Sequence, residues 1–427
     1  MEKKGLSPQK AADVRFARWL SWYWAVIAVL MVFLVTQLLQ TLGRQADLQR
    51  LPDYGQLVQF DPEREGGHLR PNLDLDVRGE FGAVRFITNS KGFRDNREFD
   101  YLPPPEVYRI LLLGDSYVDG MRTDQEHTIG FVLQETLNAH LGKNQQVEVM
   151  ISGHNNPANA WYYYQQHGRK YHPDLVILGL TVGNDFTSHN YCYGGLIPET
   201  GEDGQIMLRK ASDSLTPISL GMLVLLPDAA YQPLHSKEWI EDKEFRVRQW
   251  LAEHSRIFGY AVPPAFVISW SRRRYVYATD AFVSLGLFYQ PEMPEIQGVY
   301  QDMDEILTGM HQAVTTEGAT FLVVLFPVRI QVVRNDWDLL ARFYALDPDK
   351  FDLQRPNRHV LTFCERWGIE CLDSLPALRQ WYETHREPVY RARGDMHFNE
   401  IGQRVVAEHI AAYVLTRQAQ DLRLSPE

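Results

Sequence analysis

Three residue types that together perform acyl transfer stand in this chain in a fixed order: a serine, a carboxylate and a histidine. Gly114-Asp115-Ser116 closes a short apolar run, Arg109-Ile-Leu-Leu-Leu113. Such a run ending in Gly-Asp-Ser reads as a buried parallel strand that delivers a serine to the carboxyl edge of a sheet, where open α/β sheets bind ligands. A serine hydroxyl becomes nucleophilic when a base takes its proton, an acid fixes that base, and donors await the oxyanion. The segment Gly394-Asp395-Met396-His397 supplies the base and the acid on a loop entering the last helix. That spacing lets Asp395 reach back to Nδ1 of His397 with Nε2 facing Ser116. Gly153, in Ile151-Ser-Gly-His-Asn155, and Asn184, in Gly183-Asn-Asp185, each follow a further apolar run. The backbone amides of Ser116 and Gly153 and the side-chain amide of Asn184 are the candidate oxyanion donors, and a glycine lets the backbone approach a ligand closely. The order Ser…Asp…His is that of one known triad arrangement.

These residues work together only if each sits at the same edge of one sheet. Apolar runs predict strands at Tyr108–Leu113, Val147–Ser152, Leu175–Leu180, Thr320–Phe326 and Ile369–Leu372. Helical periodicity predicts helices at Thr128–Leu141, Ala158–Tyr171, Met303–Glu317, Pro356–Trp367 and Glu400–Leu415. Strands alternating with helices at this spacing predict a parallel sheet with right-handed crossovers. Residues 44–105 read as a polar connector, with a possible hairpin made by Leu73–Val77 and Ala83–Thr88. Residues 190–300 break the rhythm and read as an insertion or cap over the sheet edge.

Charge and hydropathy organise the amino terminus. The net charge is −11, which argues against a nucleic-acid partner. Yet residues 1–18 carry Lys3, Lys4, Lys10, Arg15 and Arg18, and the stretch Trp19–Gly43 holds no charged residue. A stretch of that length spans about 30 Å of hydrocarbon as a helix, and Trp19, Trp22, Tyr23 and Trp24 suit its headgroup end. The expectation is a single-pass anchor in the inner (cytoplasmic) membrane, residues 1–18 inside and 106–418 in the periplasm or outside. Cys364 and Cys371 read either as a pair or as two buried thiols, and no Cys/His cluster has zinc spacing. His154, His189 and His254 read as surface or supporting residues. Trp161-Tyr-Tyr-Tyr164 reads as a packing face that could instead stack on sugars, and Arg272–Arg274 as a solvated basic patch.

Gly114-Asp-Ser116, Gly153, Gly183-Asn184-Asp185 and Asp395-Met-His397 resemble the four blocks of the SGNH/GDSL hydrolase superfamily. The resemblance covers about 108–190 and 318–415. It implies a flavodoxin-like three-layer α/β/α sandwich, with Ser116, Gly153, Asn184 and His397 as the naming residues. There is some similarity to the alginate O-acetyltransferase-like branch, where the Asp-x-His spacing also occurs in place of the commoner Asp-x-x-His. The second block also departs from the usual pattern, since Asn155-Asn156-Pro157 stands where another glycine is common. The resemblance implies an esterase acting on acyl, chiefly O-acetyl, esters of envelope glycans or lipids, with no metal or organic cofactor. The alternatives are an O-acetyltransferase fed by a multispanning membrane acyl-donor protein, and a catalytically silent envelope scaffold.

Overall fold

A computed structural model of the chain describes residues 56–61, 66–78, 83–142, 145–188, 196–201, 205–210, 285–290, 292, 294–343, 346–391 and 396–417. It also describes a few positions between 22 and 35. The strands are β1 (Val58–Asp61), β2 (Gly66–Leu69), β3 (Asp74–Arg78), β4 (Ala83–Ile87), β5 (Val107–Gly114), β6 (Gln146–Gly153), β7 (Leu175–Thr181), β8 (Leu196–Thr200), β9 (Ile206–Lys210), β10 (Thr320–Phe326) and β11 (Glu370–Asp373). The helices are α1 (Ile129–Ala139), α2 (Pro157–Gln166), α3 (Asp185–Ser188), α4 (Pro294–Thr316), α5 (Arg329–Val332), α6 (Arg334–Phe343), α7 (Arg355–Trp367), α8 (Leu375–His385) and α9 (Glu400–Arg417).

Five strands form one parallel sheet in the order β11-β10-β7-β5-β6. Numbered by appearance within this sheet, the order is 2-1-3-4-5, the flavodoxin-like doubly wound arrangement. Side chains alternate across it, as a strand period of two requires. Leu111, Leu113, Val176, Leu178, Val323 and Leu325 join the core under α2, α4 and α7. Ile110, Leu112, Leu175, Ile177, Leu322 and Val324 join the core under α1, α8 and α9. Both faces are therefore covered, and strands buried on both faces read as the continuous apolar runs seen in the sequence. The switch point, where strand order reverses, lies between β5 and β7, so Ser116 emerges at the crevice where doubly wound sheets bind ligands.

Local signals set the helix ends. Asn156 caps α2 by accepting from the Asn159 amide at 2.9 Å, with Pro157 in the first turn. Gly368 ends α7 in the left-handed region at φ 68°, where glycine avoids the Cβ penalty. The helix predicted over Ala158–Tyr171 stops at Gln166 and passes into a 3-10 turn, Gly168–Tyr171. A Cβ on Gly168 would sit 2.9 Å from Leu111, so the turn packs directly on β5. Helix α8 had no counterpart in the reading above, although Pro376 in its first turn and buried Leu375 and Leu378 at i, i+3 mark it. Cys364 of α7 and Cys371 of β11 form a disulfide.

The segment before β5 packs onto the sheet. The β3–β4 hairpin sets Leu75 beside Phe86 and Val77 beside Val84, with Leu57, Leu69, Val77 and Phe86 forming a small core of their own. Phe93 and Phe99 enter the main core. The Arg94 amide donates to the Ile151 carbonyl of β6 at 2.9 Å, and His68 of β2 bridges to His154. Of the region expected to form a cap, the antiparallel β8–β9 hairpin is described, with Ile206 and Leu208 against the core. The span 19–43 lies for the most part outside the described residues. Trp22, Tyr23, Trp24, Val26, Val29, Met31 and Val35 are helical and exposed. Among the described residues no helix is long and apolar enough to cross a membrane. Asp395, His189, Cys192, His254 and Arg272–Arg274 also lie outside the described residues.

Candidate active site

Three parallel strands end together. Gly114 of β5 lies beside Gly153 of β6 in register, and the His154 amide donates to the Gly114 carbonyl at 2.6 Å. Beyond Gly114 the chain folds into a tight loop, with the Val118 and Asp119 amides donating to the Asp115 carbonyl at 3.0 and 3.1 Å. The loop presents Ser116, whose Oγ lies 2.7 Å from Nε2 of His397. That contact joins residues 281 positions apart, at a distance suited to proton transfer. His397 is 9% exposed, so its ring is held by protein on most sides.

Gly153 is boxed in. A Cβ built there would fall 1.7 Å from Oδ1 of Asp119, a residue with no exposed surface. No side chain fits at this position unless the loop after the nucleophile moves. Asn184, at the end of β7, donates from Nδ2 to Oδ2 of Asp115 at 3.1 Å. Ser116, Gly153, Asn184 and His397 are thus brought to one edge of the sheet.

Two buried carboxyl groups lie beneath them. Burial pushes the Asp115 carboxyl up, opposed by the Tyr117 amide, the Asn184 amide, nearby His397 and the Thr181 hydroxyl. Burial and then the charge of Asp115 push the Asp185 carboxyl well up, against a hydrogen bond from the Thr181 amide. Two like groups sharing one low-dielectric pocket resist ionising together.

Sequence reasoning missed the residues that hold the Ser116 loop and the His397 loop to each other. The Tyr117 hydroxyl donates to the Met396 carbonyl at 2.5 Å, and its ring lies 5.0 Å from that of His397. Gln403 of α9 accepts from the Ile129 amide at 2.9 Å and donates to the Tyr117 carbonyl at 3.2 Å. A polar residue at a buried helical position, as Gln403 is, was the available signal. Asn399 caps α9 through the Gly402 amide at 2.9 Å, which sets where the histidine loop ends.

His154 is not a surface residue. It is 4% exposed, with Nε2 3.1 Å from the Ser152 hydroxyl and its ring 4.5 Å from that of Tyr163. Burial first, then His68 and His167, lower its pKa to about 3. The folded state therefore keeps His154 neutral, while the unfolded chain takes up a proton below pH about 6.5. The His154 contribution to folding stability is expected to fall from pH about 6.5 toward 3, by about 1.4 kcal/mol per pH unit where only the unfolded state is protonated, opposite in sign to the contributions of Asp115 and Asp185. Thermal unfolding of wild type and His154→Asn across that range measures it; the variant should show a shallower slope. Trp161 and Tyr164 are buried, and a Cβ on Gly309 would lie 2.2 Å from the Trp161 ring. The Trp161 ring packs α2 against α4, and burial leaves neither ring available to a sugar.

The flavodoxin-like sheet carries Gly-Asp-Ser at its switch point and the histidine, glycine and asparagine blocks at the same edge, the arrangement that the sequence's resemblance to SGNH/GDSL hydrolases implies. Among solved structures the chain is similar to the acetyl xylan esterase AlAXEase (TM-score 0.36, 11% identity, covering 72% of this chain and 99% of that one). It is also similar to a catalytic mutant of Axe2, an acetylxylan esterase from Geobacillus stearothermophilus (TM-score 0.35, 10% identity, 72% and 94%). A third is a putative acylhydrolase from Bacteroides fragilis (TM-score 0.32, 8% identity, 75% and 91%). No family model and no curated protein matches the chain. Similarities this distant say nothing of this chain's substrate.

Proposed function

We propose that this chain is a serine esterase acting on acyl, chiefly O-acetyl, esters of envelope glycans or lipids. The observation that carries the reading is the 2.7 Å contact between Ser116 Oγ and His397 Nε2 at the switch point of the sheet. Ser116 Oγ attacks the ester carbonyl carbon while its proton passes to Nε2 of His397. Asp395, two residues before the base, holds the proton on Nδ1 and offsets the charge of the imidazolium. The amides of Ser116 and Gly153 and a second Nδ2 hydrogen of Asn184 receive the oxyanion. Collapse breaks the bond to the alcohol, which leaves with the proton from His397. Water then attacks the acyl-serine with His397 as base, releasing the acid and restoring the serine hydroxyl.

Residues 19–43 anchor the chain in the inner membrane, with the catalytic edge on the periplasmic or outer side. The Cys364–Cys371 disulfide supports that placement, because such bonds persist in oxidising compartments. The basic residues before the span support the same orientation.

The deciding experiment follows a labelled acetyl group. The full chain in detergent is given p-nitrophenyl acetate or an acetylated glycan, with and without a second, unacetylated glycan. Free acetate released at the same rate in both arms is the expected result. Acetyl recovered on the added glycan, with little acetate in its absence, would replace hydrolysis with O-acetyl transfer. No turnover in either arm and no labelling of Ser116 by a fluorophosphonate would favour the scaffold.

A further inference from the structure

We infer that Thr123 and Arg391 are positioning residues for His397, joining the nucleophile loop to the histidine loop; the inference rests on the esterase reading. The two loops come from distant parts of the chain, and the Ser116–His397 distance depends on both. Two links between them are the Tyr117 hydroxyl on the Met396 carbonyl and Gln403 of α9 on the Tyr117 carbonyl. A further link is Arg391, and it reaches His397 itself. Its guanidinium donates from Nη2 to the Thr123 hydroxyl and from Nε to the Phe398 carbonyl at 3.2 Å. Its backbone amide donates to the carbonyl of His397 itself at 2.9 Å. The Arg391 carbonyl is held in turn by Nη1 of Arg329 at 2.9 Å.

Thr123 is clamped from its other side by the segment that precedes the sheet. Nη2 of Arg94 donates to the Thr123 carbonyl at 3.0 Å and Nη1 to the Ile87 carbonyl at 3.2 Å. The Arg94 guanidinium also lies 3.7 Å from the centroid of the Phe86 ring. Arg94, Thr123 and Arg391 are 0%, 1% and 3% exposed. Burying two guanidinium groups is costly unless their hydrogen bonds are met. A leucine or methionine would fill the same volume more cheaply, whereas the planar fork of arginine ties several carbonyls in one fixed geometry. The hairpin segment before β5 is thereby coupled to the catalytic histidine through one threonine.

The test separates the Thr123 hydroxyl from its shape in the full chain. Thr123→Val keeps the volume and removes the hydroxyl; Thr123→Ser keeps the hydroxyl. Thr123→Val is expected to lower kcat for p-nitrophenyl acetate by about 10- to 10²-fold at unchanged KM, and to slow fluorophosphonate labelling of Ser116 by the same factor. Thr123→Ser is expected to restore most of both. If Thr123→Val folds poorly, Arg391→Lys, which keeps the charge and loses the fork, is expected to give the same split. Wild-type kcat in Thr123→Val, or a Thr123→Ser enzyme as slow as Thr123→Val, overturns the proposal. Histidine ring 15N resonances give a readout independent of turnover. A His397 signal displaced in Thr123→Val and restored in Thr123→Ser supports the coupling even if no ester is hydrolysed. An undisplaced signal in an active enzyme overturns the coupling and leaves the esterase reading intact.

Discussion

Ser116→Ala is expected to remove ester hydrolysis by about 10⁶-fold, the usual cost of deleting a triad nucleophile, and to abolish fluorophosphonate labelling. His397→Ala should cost nearly as much, because Oγ at 2.7 Å from Nε2 has no other described route for its proton. The double variant should be no slower than either single one, since nucleophile and base act as a unit. Residual turnover should remain above the uncatalysed rate, because binding and the oxyanion donors survive both changes. Neither substitution should unfold the chain. Ser116 is a small, half-buried loop residue, and the histidine loop keeps its Tyr117 and Arg391 hydrogen bonds through backbone carbonyls. Progress curves with p-nitrophenyl acetate and a thermal melt for each variant measure both points. Ester hydrolysis unchanged in Ser116→Ala would falsify the mechanism.

Gly153→Ala is expected to lower kcat by about 10²- to 10³-fold, the range seen when one oxyanion donor is lost, and to destabilise the fold by about 1–3 kcal/mol through overpacking. The new Cβ would lie 1.7, 2.1 and 2.2 Å from Oδ1, Cγ and Oδ2 of Asp119. Asp119 is fully buried and has nowhere to swing, so either the end of β6 or the nucleophile loop gives way. Both carry proposed oxyanion donors, the amides of Gly153 and Ser116. Because the clash is with one side chain, it makes a checkable double-mutant cycle: Gly153→Ala should cost less stability when Asp119 is also alanine. Equal costs in the two backgrounds would show that the Asp119 carboxylate is not what excludes a side chain at 153.

The strands were legible because burial on both faces writes them as continuous apolar runs, as in Leu175–Leu180 and Thr320–Phe326. The blocks at their ends were legible because glycine, serine and asparagine interrupt those runs abruptly. The local sequence did not disclose which strands are neighbours. Nothing in Tyr108–Leu113 says that it lies between β6 and β7, yet this order puts Ser116 at the switch point. His154 read as either a surface or a supporting residue because an isolated histidine carries no burial signal. The tertiary structure covers it with Tyr163 and bridges it to His68. Trp161 and Tyr164 had two readings until Gly309 was found against the Trp161 ring.

By itself, then, the sequence determined the α/β rhythm, the serine, glycine, asparagine and histidine blocks that follow its runs, and their order along the chain. These follow from periodicity and turn chemistry, which act over a few residues. Only the tertiary structure decided that Ser116 and His397 meet, and which residues keep them there. Thr123, Arg391 and Gln403 are single polar residues in unremarkable settings, and each becomes informative when burial demands a partner for it from a remote segment. That demand is set by the packing of the sheet and its two helical layers, over separations of more than 260 residues.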